Sequence, residues 1–220
     1  SGLQEDTEEA TFAGAAETYL HVNTDQLLER IKSVWMSFWL IRGLLYRNSR
    51  IIRQGPIKPA VVVQKMFDSQ VSGVMFTTDP VSGRDVIVIE AGYGLGEGVV
   101  SGLVDVDRYY VNKFDGSVID MHIGKKAFKV APHPSGKGTA IEPVDSDLRD
   151  VPCLKKEDIK IKVALALEEY YALSQDIEFG IADSKLSILQ TRPITTRLSG
   201  ERAFPLAEQS RGRDQSTAEA

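Results

Sequence analysis

The stretch Asp176-Ile177-Glu178-Phe179, followed after a short polar break by Leu189-Gln190-Thr191-Arg192-Pro193, reads as two strand-like runs with polar residues at period two. Side chains two apart on a strand share a face, so Asp176 and Glu178 project together, as do Gln190 and Arg192. The other parity is apolar, with Ile177, Phe179 and Ile181 on one run and Leu189 on the other. A hairpin with an odd-numbered loop centred on Ser184 places Glu178 opposite Gln190 and Asp176 opposite Arg192. Two carboxylates, an amide oxygen and a guanidinium then converge on one surface. Hard oxygen ligands suit Mg²⁺ and a planar cation suits phosphate, which points to a metal-nucleotide site. The pattern alone also describes a hairpin with a surface ion pair.

Upstream, Asn23-Thr24-Asp25 is a good N-cap cluster, and apolar residues from Leu27 to Leu45 keep a helical period, predicting one long helix over 24–51. Its Trp and Phe residues are expected to pack in the core. The basic face of its far end, Arg42, Arg47, Arg50 and Arg53, suits either solvent or a phosphate. Gly55-Pro56 and Pro59 break that pattern, and strands are predicted at 60–67, 73–78, 86–91, 108–113, 118–123 and 139–144. The runs Val61-Val62-Val63 and Val86-Ile87-Val88-Ile89 are apolar enough for strands covered on both faces. A second helix is expected over 156–172. Residues 197–220 turn polar and read as a linker or disordered tail.

The chain has 220 residues with ordinary apolar and charged fractions, as expected of a soluble globular protein. Its net charge of −5 argues against general nucleic-acid binding, although a polyphosphate ligand needs only a few well-placed cations. Cys153 is the single cysteine, without His or Cys neighbours at zinc-ligand spacing, so a reducing, cytoplasmic setting is expected. No apolar stretch approaches the roughly 20 residues of a membrane span, and no signal-peptide pattern is present. The first residues are acidic and open without methionine, so the natural start is expected upstream.

Gly92-Tyr93-Gly94-Leu95-Gly96-Glu97-Gly98 follows a predicted strand, where phosphate loops often lie. Glu97 or Val99 occupies the third glycine position of G-x-G-x-x-G, and no Gly-Lys-Ser/Thr ending exists, so both common fingerprints fail. The loop could cover a ligand or pack tightly beneath a helix. Phe12-Ala13-Gly14-Ala15-Ala16-Glu17-Thr18 is a second small-residue turn, compatible with backbone N–H groups around phosphate. Gly124-Lys125-Lys126 fits either a polyphosphate contact or a solvated edge. His21, His122 and His133 lack the neighbours of a catalytic triad or a metal cluster.

Five segments occur in a characteristic order: Thr11-Phe12-Ala13-Gly14, Val63-Gln64-Lys65-Met66, Ser72-Gly73-Val74-Met75-Phe76-Thr77, Tyr93-Gly94-Leu95-Gly96-Glu97, and the Asp176-to-Pro193 pair. Over residues 6–196 the chain resembles the nucleotide-binding domain of the phosphoenolpyruvate synthase and pyruvate phosphate dikinase family, which also includes rifampin phosphotransferases. The resemblance implies an α+β, ATP-grasp-like fold: a mostly antiparallel sheet packed against helices, with the N-terminal lobe incomplete and residues 1–196 forming the partial domain. It further implies ATP and Mg²⁺ as cofactors. Glu178 and Gln190 would be metal ligands and Arg192 a phosphate-binding group, with Asp176 beside them, so that Glu178 and Arg192 carry the catalytic part. Gln64, Lys65 and Met66 would contact adenine, while Gly14 and Thr18 would close over the phosphates. Ala15 stands where the family often has Gln, which removes any side-chain contact from that position.

The family's phosphate-binding lysine and Arg-Ser-Ser-like segment precede the part present here, and its phosphohistidine and pyruvate-binding domains follow it. The resemblance therefore implies an ATP-binding part of a phosphotransferase that passes phosphate to a histidine on a separate swivelling domain and then to pyruvate, with little turnover by itself. The missing lobe and domains would be its partners on the same or another polypeptide, with self-association possible and no role for nucleic acid or membrane. Two alternatives stand beside this. One is a truncated nucleotide-binding or regulatory module; the other is a rifampin-phosphotransferase-like domain with an antibiotic or a glucan as final acceptor.

Overall fold

A computed structural model describes residues 6–7, 10–11, 17–37, 60–155 and 159–194. The turn around Gly14, the helical expectation beyond Ser37 and the tail lie outside the described residues. Strands β1 (Asp6–Thr7) and β2 (Ala10–Thr11) pair as a short antiparallel ribbon. Helix α1 follows over Leu27–Ser37, opened by turn hydrogen bonds from the Gln26 and Leu27 amides to the Asn23 and Thr24 carbonyls. Trp35, expected in the core, is 47% exposed, with Leu28 and Met36 also exposed, so among the described residues none covers this side of the amphipathic helix fully.

The main sheet contains β3 (Val71–Phe76), β4 (Ile87–Tyr93), β5 (Asp107–Val111), β6 (Val118–His122), β9 (Gln175–Ala182) and β10 (Lys185–Pro193). Their order is β10-β9-β3-β4-β5-β6, and every neighbouring pair is antiparallel. The short helix α2 (Gly96–Val100) follows β4, and β7 (Phe128–Pro132) pairs with β8 (Thr139–Pro143) in a separate ribbon. Helix α3 covers Ile161–Tyr171 and ends on Ala172 in the left-handed region, a common helix stop. The fold is thus α+β with a mostly antiparallel sheet. None of the described helices is long and apolar enough to cross a membrane.

Alternation along the strands assigns the two faces. Met75, Ile87, Ile89, Ala91, Tyr109, Val111, Ile177, Phe179 and Ile181 form the core with Cys153, Leu154 and Ala164. Gly73 lies under the Phe179 ring: a Cβ there would sit 2.7 Å from the ring tip and 2.3 Å from the Glu90 carbonyl oxygen. The absent side chain admits a large aromatic ring into the middle of the sheet.

Two strand expectations need correction. Residues 60–67 form no strand, and Val62 and Val63 are exposed, although their apolar run had suggested a doubly covered strand. Apolar composition does not supply a pairing partner. Strand β7 was not anticipated, because Lys129 and Pro132 interrupt its apolar pattern. Only Val130 of this strand is buried, and Gly94 bridges to it.

Candidate functional site

The β9–β10 hairpin turns through Asp183 and Ser184, both at positive φ, as a two-residue primed turn requires. From that turn the pairing runs regularly from Lys185↔Ala182 to Ile188↔Phe179. A bulge at Leu189 then shifts the register, giving Gln190↔Glu178 and Arg192↔Asp176. The expected residue pairs are therefore present, but the expected odd-numbered loop is not. One extra residue inside β10 does the work assigned to the loop.

These side chains share one sheet face. The Arg192 Nε and Nη2 groups donate to Asp176 Oδ2 at 2.8 and 2.7 Å. Asp176 Oδ1 is buried without a hydrogen-bond partner. Glu178 is half-buried, and burial pushes its carboxyl above the ordinary glutamate range. The Arg192 charge opposes that rise and the Asp176 charge adds to it. Gln190 is exposed beside them.

The same face continues across the sheet. Glu178 is level with Val74, Glu90, Arg108 and His122, and Asp176 with Phe76, Val88, Tyr110 and Asp120. Arg108 binds Glu90 Oε1 through Nε at 2.7 Å and also through Nη2. This second pair was not foreseen, because β4 reads as a nearly continuous apolar run and Glu90 stands at its end without a period-two partner.

The other anticipated residues are distributed differently. The Gln64 side-chain amide donates to the Leu189 carbonyl at 3.3 Å, so it reaches the bulge. Lys65 is exposed, Met66 half-buried and Thr18 exposed; among the described residues no hydrogen bond or ion pair joins them to the hairpin. Gly14 lies outside the described residues. The glycine loop packs tightly: a Cβ on Gly94 would lie 2.2 Å from the Val130 carbonyl oxygen, which accepts the Leu95 N–H at 2.8 Å. Lys126 is neither a solvated edge nor available to a polyphosphate. It is buried, donating to Asp107 Oδ1 at 2.5 Å and to the Gly124 carbonyl at 2.8 Å.

The donor set suits a hard divalent cation. It offers the partnerless Asp176 oxygen, a Glu178 carboxylate held in a poorly solvated place, and the Gln190 amide. No group of three or more His, Cys, Asp or Glu side chains among the described residues could hold a metal by itself.

Comparison with known proteins assigns the chain to a family. Residues 1–212 match the family described as pyruvate phosphate dikinase, AMP/ATP-binding domain. A probable phosphoenolpyruvate synthase of Archaeoglobus fulgidus is 40% identical over 199 residues, covering 89% of this chain and 26% of that protein. The rifampicin phosphotransferase of Bacillus subtilis is 36% identical over 214 residues, covering 96% and 24%. A prodigiosin synthesizing transferase of Serratia marcescens is 37% identical over 201 residues, covering 90% and 22%. The chain thus spans about a quarter of the length of these relatives. It belongs to the pyruvate phosphate dikinase AMP/ATP-binding domain family.

Proposed function

We propose that this chain is the nucleotide-holding part of an ATP-dependent phosphotransferase, an ATP-grasp domain that binds Mg·ATP for transfer of a phosphoryl group to an acceptor carried elsewhere. The observation that carries the reading is the hairpin register. It sets Gln190 against Glu178 and Arg192 against Asp176 on one face, with a buried carboxylate oxygen left without a partner.

Each residue then has a physical task. Glu178 and Gln190 would hold Mg²⁺, which when bound neutralises phosphate oxygens. Arg192 carries a permanent charge and a planar donor set suited to phosphate oxygens, and Asp176 fixes its direction through two hydrogen bonds. Positioning and charge stabilisation are the main protein contributions to phosphoryl transfer, so rigid placement matters more than a reactive side chain. A histidine on a swivelling domain, and pyruvate after it, would accept the phosphate.

The names of the relatives favour a second reading of the final acceptor. Proteins called phosphoenolpyruvate synthase, rifampicin phosphotransferase and prodigiosin synthesizing transferase all align with this segment at similar identity. A common ATP-binding part would then serve different acceptors, with the choice made elsewhere in each protein. Calorimetry of Mg·ATP and of ATP with a chelator, on wild type and Glu178→Ala, tests the nucleotide assignment. The expected result is Mg²⁺-dependent binding that falls at least tenfold in Glu178→Ala. Equal binding by the two proteins would remove Glu178 from the metal site.

A further inference from the structure

The bulge at Leu189 aligns the site residues by absorbing one residue more than a regular β10 would need. Pairing from the two-residue turn proceeds regularly to Ile188↔Phe179, and the next strand position on β9 is Glu178. A β10 shorter by one residue would place Gln190 opposite Glu178 with an uninterrupted ladder. The extra residue costs regular pairing, since Leu189 has no partner in β9. At this irregular position on the edge strand, the Gln64 side chain donates to the Leu189 main-chain carbonyl at 3.3 Å.

Gln64 belongs to residues 60–67, which have no strand pairing of their own and lie far from the hairpin in sequence. Its hydrogen bond joins this segment to β10 immediately beside Gln190. We propose that Gln64 is a positioning residue: through the Leu189 carbonyl it holds the bulge and therefore Gln190, coupling residues 60–67 to the metal-binding side of the site. The inference rests on the proposed Mg·ATP reading and gives Gln64 a task distinct from touching the base.

The test compares nucleotide affinities of the full chain by calorimetry, using ATP with Mg²⁺, ATP with chelator, and adenosine. Gln64→Met keeps length and neutrality but loses the donor, whereas Gln64→Lys retains an N–H donor. The expected result is that Mg²⁺ strengthens ATP binding about fivefold less in Gln64→Met than in wild type, as loss of one modest hydrogen bond implies, with Gln64→Lys recovering much of the difference. Adenosine affinity should change little. In a chain lacking Leu189, where the regular ladder itself aligns Gln190, Gln64→Met should no longer change the Mg²⁺ effect; if the shortened hairpin does not fold, the two Gln64 variants decide alone. A fall in adenosine affinity with the Mg²⁺ effect intact would overturn the coupling and leave Gln64 as a base contact. Absence of Mg·ATP binding in wild type would instead overturn the functional reading, and the inference with it.

Discussion

Glu178, proposed as a metal ligand, sits where burial makes its charge costly to the fold. Burial raises its carboxyl above the ordinary value, meaning that the folded state holds the proton more tightly than the unfolded state does. Stability attributable to this group therefore decreases as pH rises from the unfolded value of about 4.3 through the raised folded value. Glu178→Gln should unfold at a higher temperature than wild type at neutral pH, and the advantage should disappear below about pH 4 as both states become protonated. Mg·ATP affinity should move the other way, falling at least tenfold in the variant. Thermal melts across pH, with and without Mg·ATP, check both halves. A variant less stable than wild type at neutral pH would show that Glu178 contributes to the apo fold.

At the scale of elements, the hairpin balances a strained turn against a bulge. Ser184 adopts φ 61°, where a side chain is unfavourable and glycine is not. Ser184→Gly should stabilise the chain by about 0.5–1 kcal/mol in urea titrations while leaving the hairpin register unchanged. Gly73→Ala should do the reverse. Its Cβ would meet the Glu90 carbonyl and the Phe179 ring, at a cost of about 2–3 kcal/mol in the same titration. The polar pairs across this hairpin were legible because period-two alternation survives any pairing of the correct parity. The bulge was not legible: a turn of odd length and a two-residue turn with one bulge give the same pairs. Residues 60–67 misled for a different reason. Valine favours strands, but its pattern cannot reveal whether another strand offers an edge. The Arg108–Glu90 pair lay beyond reach because nothing in the sequence announces that β4 and β5 are neighbours in that register.

Across the whole molecule, two polar clasps at opposite ends of β5 hold the covering segments against the core face of the sheet. At one end Asp107 accepts from Lys126, from the Gly124 and Cys153 amides, and from the Tyr109 hydroxyl. At the other, Glu168 of α3 accepts from Thr77, Lys113 and Ser174, and Lys113 also pairs with Asp85. Both lie away from the face carrying Glu178 and Arg192, so they act on the rigidity of the platform and not on its chemistry. They should differ in energetic weight. Lys126 and Asp107 are 1% and 0% exposed, whereas Asp85, beside Lys113, is 83% exposed. Lys126→Met leaves a buried carboxylate with amide and hydroxyl donors but no countercharge, which should cost about 3–5 kcal/mol. Lys113→Met leaves its acidic partners with better access to water and should cost about 1 kcal/mol. Urea titrations of the two variants, with their slopes compared with wild type, measure the difference directly. Equal losses would mean that the Asp107 clasp is satisfied by its neutral donors alone, with the lysine charge contributing little to holding the cover on the sheet.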